Sequence, residues 1–207
     1  MIAYKAVHKD LSSSYGNQPV YELGKTYTFP AASRGAAGFH AAEDPIFCLN
    51  FIRPEEGRYF KVELQGEMDP DGCTDGGSTA AAATSITFLE ELTVEQMLWA
   101  SLQYRLSWAK TNTNSGRHIE ISKRKGQTVL ADKTRCIAVA NKTSTTAIAN
   151  GCSTLAIAEG PDTKAEAHAS DALAVAYGKD SDIRVSYGWG LRIDPNAPAG
   201  KQLILIK

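Results

Sequence analysis

Ile137–Ala158 reads IAVANKTST TAIANGCST LAIA, and this stretch decides the fold because a nine-residue unit begins again at Thr146 and at Leu155. The unit extends in both directions along the chain, with alanine in its second place in five consecutive units and in its fourth place in six. Self-similarity at a short, fixed period is typical of solenoid proteins. The units begin at Ile119, Thr128, Ile137, Thr146, Leu155, Lys164 and Leu173.

Each unit combines four strand-forming residues with a tight turn of Gly, Ser, Asp or Asn. Side chains alternate across a strand, so the mostly aliphatic first and third places share one side and the alanines share the other. Alanine suits a gap between two sheets that is too narrow for larger side chains. We therefore predict that residues 117–190 form a β-solenoid, or β-roll, of nine-residue rungs with alanine inside. The Gly-Gly-x-Gly-x-Asp signature of calcium-binding rolls is missing, which predicts that the turns bind no calcium.

The aliphatic side of these strands would then point outward, and a continuous apolar surface is not stable in water. It needs cover from the N-terminal domain, from a C-terminal strand at residues 202–206, or from another copy of the protein. We expect a homo-oligomer, with a homotrimer favoured, and cover within the chain is the alternative. The residues expected at the oligomer interface are Ile137, Val139, Ile148, Leu155, Ile157, Leu173 and Val175.

An α+β domain is predicted for residues 1–110. Alternation of polar and apolar residues over Arg58–Leu64 indicates a strand, and Asp44 followed by proline indicates the start of a short helix. The clearest helix is predicted over residues 93–109, where Thr93 and Gln96 form a capping box ahead of an apolar stripe. The polar run that follows marks the domain boundary, and residues 191–207 are expected to form a linker and a strand.

The composition excludes some classes of function. The chain of 207 residues has a net charge of −1, which gives no electrostatic reason to expect a nucleic-acid partner. No apolar run reaches the length of a membrane span, and no signal-peptide pattern opens the chain, so we expect it in the cytoplasm of the cell that makes it. The cysteines are far apart in sequence and are expected to be free thiols. They are Cys48, Cys73, Cys136 and Cys152.

Two groups of polar residues are candidates for ligand binding. His40 and Arg34 suit a phosphate or a ribose, unless His40 only satisfies a buried turn and Arg34 is solvated. Basic residues crowd the first two rungs and predict a positive rim for a phosphate-bearing ligand or an acidic partner, or else a solvated end of the solenoid. The candidate ligand-binding residues are Tyr4, Lys5, Arg34, His40, Tyr59, Arg117, Lys123 and Arg124, and the rim also includes Lys125, Lys133 and Arg135.

Neither a metal site nor a cofactor is predicted. His8, His118 and His168 have no carboxylate or cysteine at ligand spacing. The segment Asp69–Gly77 resembles a calcium loop but lacks the glycine at its sixth place and the glutamate at its twelfth. No Gly-x-Ser-x-Gly nucleophile turn occurs in the sequence, so we expect a protein that is not an enzyme.

Gly38-Phe39-His40-Ala41, with Lys25–Tyr27 before it and Arg58–Glu63 after it, gives residues 1–109 a resemblance to a family of uncharacterised phage and prophage proteins. Those proteins carry a GFHA- or GFHxC-type domain followed by short Gly/Ser/Ala repeats. The repeat style here also resembles the β-roll of trimeric adhesin heads. The resemblance implies a viral origin, and therefore the cytoplasm of an infected bacterium, but it implies no activity.

Gly38–Pro45 and the helix after it resemble, more loosely, the Gly-Phe-aromatic-Thr turn and helix of ADP-ribosyltransferase folds. That fold holds nicotinamide adenine dinucleotide with a His-Gly or Arg-Gly pair on an early strand, where this sequence has Tyr4-Lys5-Ala6. The catalytic glutamate would be Glu63 or Glu67.

These observations lead to three hypotheses about function. The favoured one is a phage-encoded oligomeric binding protein that engages a host protein or a nucleotide-like small molecule, with a role in countering host defence. The alternatives are an enzyme of diverged ADP-ribosyltransferase fold and a virion fibre or decoration protein.

Overall fold

The computed structural model describes residues 1–13, 19–33, 35–70, 79–112, 119–177, 180–193 and 203–206. The chain divides into two compact units, Met1–Ser101 and Leu102–Lys207. The domain limits expected from the sequence remain predictions. Within the described ranges, neither helix is long and apolar enough to cross a membrane.

The first unit is built on an antiparallel sheet in the order β2-β5-β3-β1-β4. β5 also pairs with β4, so that β1, β4, β5 and β3 are hydrogen-bonded in a closed ring. The strands are β1 (Ile2–His8), β2 (Thr26–Thr28), β3 (Phe39–Ala42), β4 (Gly57–Pro70) and β5 (Ala80–Leu92).

The two helices are α1 (Pro45–Phe51), in the first unit, and α2 (Val94–Thr111), whose residues from Leu102 onward belong to the second unit. Asp44 caps α1 and accepts a hydrogen bond from the Ile46 amide at 3.2 Å, with Pro45 in the first turn, as predicted. The predicted capping box of α2 is also confirmed. The Thr93 amide donates to Gln96 Oε1 at 2.8 Å, and the Gln96 amide donates to Thr93 Oγ1 at 3.2 Å.

The core of the first unit lies on one side of the sheet and is rich in aromatic rings. Tyr21 stacks on Phe88 with ring centroids 4.4 Å apart, and Phe60 meets Phe88 edge to face at 5.2 Å. Ala3 and Val7 of β1 belong to the same cluster and are fully buried. Such packing provides most of the apolar burial that stabilises a unit of this size.

The second unit contains a β-solenoid of about four turns. Thr128 pairs with Thr146 and Ile137 pairs with Leu155, so parallel neighbours in one sheet are 18 residues apart in sequence. The strands are β6 (Ile119–Ile121), β7 (Thr128–Ala131), β8 (Ile137–Ala140), β9 (Thr146–Ala149), β10 (Leu155–Ala158), β11 (Lys164–Ala176), β12 (Asp182–Ile193) and β13 (Leu203–Ile206).

The predicted alanine interior is confirmed. Alanines from β8 to β11 are fully buried in one cluster, and Val129 and Ile183 fill the same layer nearer the two ends. The methyl groups let the two sheets approach closely, which larger side chains would prevent.

The outward side of the solenoid differs between its two sheets. One sheet, which we call the covered face, presents buried residues from β8, β10 and the second half of β11, namely Ile137, Leu155, Ile157, Leu173 and Val175. The other, which we call the open face, presents partly or fully exposed residues from β7, β9, β11 and β12, namely Thr128, Leu130, Thr146, Ile148, Lys164, Glu166, Asp182 and Arg184.

The residues that the sequence placed at the oligomer interface are distributed over both faces. Five of the seven are buried within the single chain, Val139 is half-buried, and Ile148 belongs to the open face. Cover within the chain, the alternative considered from the sequence, therefore accounts for the covered face. The seven residues do not form one surface, because successive rungs lie in opposite sheets.

The second half of α2, residues 102–111, lies along the edge at which the covered strands begin. Arg105 is buried and donates to the carbonyl oxygens of Thr154 and Asp171, both at 2.6 Å. The Arg135 guanidinium lies 5.0 Å from the centre of the Trp108 ring. These contacts join the helix to the residues that precede three covered strands.

Candidate functional site

Lys5 is the most unusual of the candidate residues in the first unit. It lies on the core side of β1 and is 4% exposed. Its ammonium group donates to the His40 carbonyl oxygen at 2.8 Å and lies 5.6 Å from the centre of the Tyr21 ring. Burial lowers the pKa of Lys5 to about 8, because the charged form loses its hydration.

The His40 side chain supports the turn that precedes β3. Its Nε2 atom accepts a hydrogen bond from the Gly35 amide at 2.9 Å. Burial, followed by the charge of Lys5, lowers the pKa of His40, so the ring is neutral at pH 7. Gly38 has φ +82°, and a Cβ there would lie 2.7 Å from the Ala83 carbonyl oxygen, so the turn requires glycine. Arg34, the expected partner of His40, lies outside the described residues.

The two candidate tyrosines lie on the opposite side of the sheet from Lys5. Tyr4 follows the alternation of β1 and is half-buried, and burial raises its pKa. The Tyr59 hydroxyl is buried and donates to the Ile52 carbonyl oxygen at 2.5 Å. Tyr59 is therefore hydrogen-bonded to the residue that follows α1. Because Lys5 lies on the other side of the sheet, it does not line a common cleft with either tyrosine.

Catalytic chemistry has little support among the described residues. The Cys48 thiol is buried and donates to the Tyr4 carbonyl oxygen at 3.0 Å. Burial raises the pKa of Cys48 to about 12, which keeps the thiol protonated and weakly nucleophilic. Across the described part of the chain, no three His, Cys, Asp or Glu side chains are placed to hold a metal ion.

A group of basic side chains lies on one edge of the solenoid, and we call it the basic edge. Lys123, Arg124 and Lys125 occupy the turn between β6 and β7, and Lys142 occupies the turn between β8 and β9. All four side chains are exposed, and none forms an ion pair with a described residue. They concentrate positive charge on a chain whose net charge is −1.

Backbone contacts stack these two turns directly on each other. The Gly126 amide donates to the Thr143 carbonyl oxygen at 3.2 Å. The Ser122 hydroxyl oxygen accepts hydrogen bonds from the amides of Asn141 and Lys142 at 3.0 and 3.3 Å. Neighbouring layers of a sheet lie about 4.8 Å apart, so the four basic residues lie in two adjacent layers of the same edge.

The positive rim predicted from the sequence is therefore smaller than expected. Lys133 and Arg135 occupy the next turn, whose Arg135 amide donates to the Cys152 carbonyl oxygen on the opposite edge. Consecutive turns of a two-sheet solenoid lie at opposite edges, which separates residues that are close in sequence. Arg117 lies outside the described residues.

The comparisons with known proteins concern the first unit. Residues 1–100 match the family model of a domain of unknown function, DUF7666. No curated protein and no solved structure matches the chain. The DUF7666 match stops before the solenoid and names no activity, so the basic edge and the buried Lys5 have to be interpreted from their geometry.

The sequence carries a signal that distinguishes the two faces. The first place of alternate units holds Ile137, Leu155 and Leu173 on the covered face. The units between them begin with Thr146 and Lys164, on the open face. The sequence therefore also has a period of 18 residues, and units separated by that period lie in the same sheet.

Proposed function

We propose that the protein is a binding protein without catalytic activity, which engages an anionic group through its basic edge. The observation that carries this proposal is the cluster of Lys123, Arg124, Lys125 and Lys142, exposed in two stacked turns without an ion pair among the described residues. Lysine and arginine side chains bind phosphates and carboxylates in this arrangement. The ligand is a nucleotide-like small molecule or an acidic surface of a host protein.

The first unit gives little support to transferase chemistry. The polar groups of Lys5, His40 and Tyr59 contact the backbone of their own unit.

We further propose a phage origin, an action in the cytoplasm of the infected host that counters host defence, and assembly as a homotrimer. The resemblance of residues 1–109 to phage proteins supports the origin, and the solenoid supports the assembly. Recovery of the protein from purified virions would favour the alternative of a fibre or decoration protein.

We infer that the solenoid is made of nine-residue rungs, two per turn. The strands β7, β8, β9, β10 and β11 begin at residues 128, 137, 146, 155 and 164. The left-handed residues of the turns keep the same spacing, since Arg135, Ser144, Ser153 and Asp162 have φ between 53° and 58°. A crystal structure with turns of unequal length would contradict this inference.

Calorimetric titration with a panel of nucleotides and cyclic dinucleotides tests the binding proposal. The triple variant K123A/R124A/K125A should bind at least about tenfold more weakly than the wild type, because three charge-assisted contacts are lost. Lys133→Ala, which removes an exposed charge from the other edge, should bind like the wild type. Capture of an acidic host protein by the wild type but not by the triple variant would identify the other class of ligand. Equal binding by the triple variant and the wild type would contradict the proposal.

A further inference from the structure

The open face carries a pattern of charge that fits a second copy of itself. Lys164 and Glu166 occupy the first and third places of β11, and Asp182 and Arg184 occupy the corresponding places of β12. The register sets Lys164 beside Asp182 and Glu166 beside Arg184. Charges of opposite sign therefore alternate both along the strands and across them, and the four sum to zero.

Most of these charges are available for contacts outside the chain. The Lys164 side chain is 42% exposed and lies 4.0 Å from Glu166 Oε1. Glu166 also accepts a hydrogen bond from His168 Nε2 at 3.0 Å. Asp182 and Arg184 are exposed and form no ion pair with any described residue.

The rest of the open face is mainly apolar or neutral. Leu130 is 40% exposed and Ile148 is half-buried, each next to a threonine on its strand. Charges of opposite sign that meet across an interface favour one partner and one register, and the open face carries such a set next to apolar side chains. The basic edge differs in this respect, because all four of its residues carry positive charge.

We infer that the open face is the surface through which two copies of the chain associate, about an axis parallel to the solenoid. Such an axis keeps each layer opposite the same layer of the second copy. Strand direction reverses across it, so Lys164 meets Glu166 of the second copy and Asp182 meets Arg184 of the second copy. Leu130 and Ile148 then meet Thr128 and Thr146 of the second copy.

This inference rests on the proposed self-association but makes the assembly a homodimer rather than a homotrimer, because a two-fold axis relates only two copies. It also moves the interface from the covered face, whose side chains are already buried, to the open face. The charge pattern also predicts that association weakens as salt is raised, because exposed ion pairs are screened. Ligand binding at the basic edge does not depend on association through the open face, so the failure of one proposal leaves the other unaffected.

Light scattering on two charge-reversed variants tests the inference. The full-length wild type should scatter with about twice the mass of the 22.3 kDa chain. K164E and E166K should each be monomeric, with association weakened at least about tenfold, because like charges then meet across the axis. An equimolar mixture of the two should assemble again, since one copy then offers two acidic and the other two basic side chains in that layer.

The control is Lys133→Glu, which reverses an exposed charge on an edge of the solenoid and should keep the wild-type mass. Reassembly of the mixture cannot come from misfolded chains, so it separates loss of contact from loss of fold. A monomeric wild type would overturn the inference together with the proposed oligomer, and a trimeric wild type would overturn the two-fold arrangement alone. An assembled wild type whose mass is unchanged in both variants would overturn the location alone.

Discussion

Lys5 is a buried charged residue that lowers the stability of the first unit. It occupies the core side of β1 between Ala3 and Val7, where the alternation of the strand calls for an apolar side chain. The ammonium group finds one carbonyl oxygen and one aromatic ring there. Neither contact replaces its lost hydration, which is why the pKa falls to about 8.

Stability should therefore rise with pH in a way that depends on Lys5. As pH increases from 8 toward 10.5, the folded protein releases the Lys5 proton before the unfolded chain does, so the unfolded chain binds more protons. Lys5→Met should raise the free energy of unfolding at pH 7 by about 2 kcal/mol, and this gain should shrink toward pH 10. Urea unfolding of both proteins across this range measures the difference.

The exposed Lys9 provides the matched control for this experiment. Lys9→Met should change the free energy of unfolding by less than about 0.5 kcal/mol at every pH, since an exposed lysine keeps its hydration. A constant difference between the wild type and Lys5→Met from pH 7 to pH 10 would show that Lys5 is not buried as a charged group.

At the scale of elements, the second half of α2 is held to the solenoid by Arg105. Its guanidinium binds two carbonyl oxygens that precede covered strands, and few other donors reach both at once. Arg105→Met should lower the free energy of unfolding by about 2–3 kcal/mol, because two acceptors lose their partner. Thermal unfolding measures this loss.

Lys110 lies on the same helix and is exposed, so Lys110→Met should leave the unfolding temperature nearly unchanged. If both variants unfolded like the wild type, the helix would not be anchored through Arg105.

Local patterns in the sequence predicted many elements correctly. The capping box of α2, the start of α1 at Asp44 and the alanine interior follow from rules that act over a few residues. The contacts of Arg105 join residues 49 and 66 positions apart, and no local pattern indicates them. The nine-residue repeat alone does not show which rungs share a face, because that assignment follows from the longer period of 18 residues.

Over the whole molecule, the solenoid presents two exposed surfaces with different electrostatics. The basic edge has charges of one sign and suits an anionic ligand, whereas the open face has balanced charges and suits a second copy. The sequence predicted a single basic rim because it placed Lys123 and Lys133 together. Alternation of the turns between two edges separates them, and this depends on the three-dimensional winding of the chain.

The candidate site in the first unit was the least predictable part. His40 and Tyr59 have side chains typical of ligand binding, but both contact backbone atoms of their own unit. The polarity of a residue does not reveal whether it faces a ligand or the backbone. Only the exposure of Lys123, Arg124 and Lys142 supports a role in binding.

Hydrogen exchange measured with and without the tightest-binding nucleotide of the panel tests the location of the site most directly. Binding at the basic edge predicts slower exchange of the amides in residues 122–127 and 141–145, with little change in β1 and β3. Protection confined to β1 and β3, around Lys5 and His40, would contradict this account and place the site in the first unit.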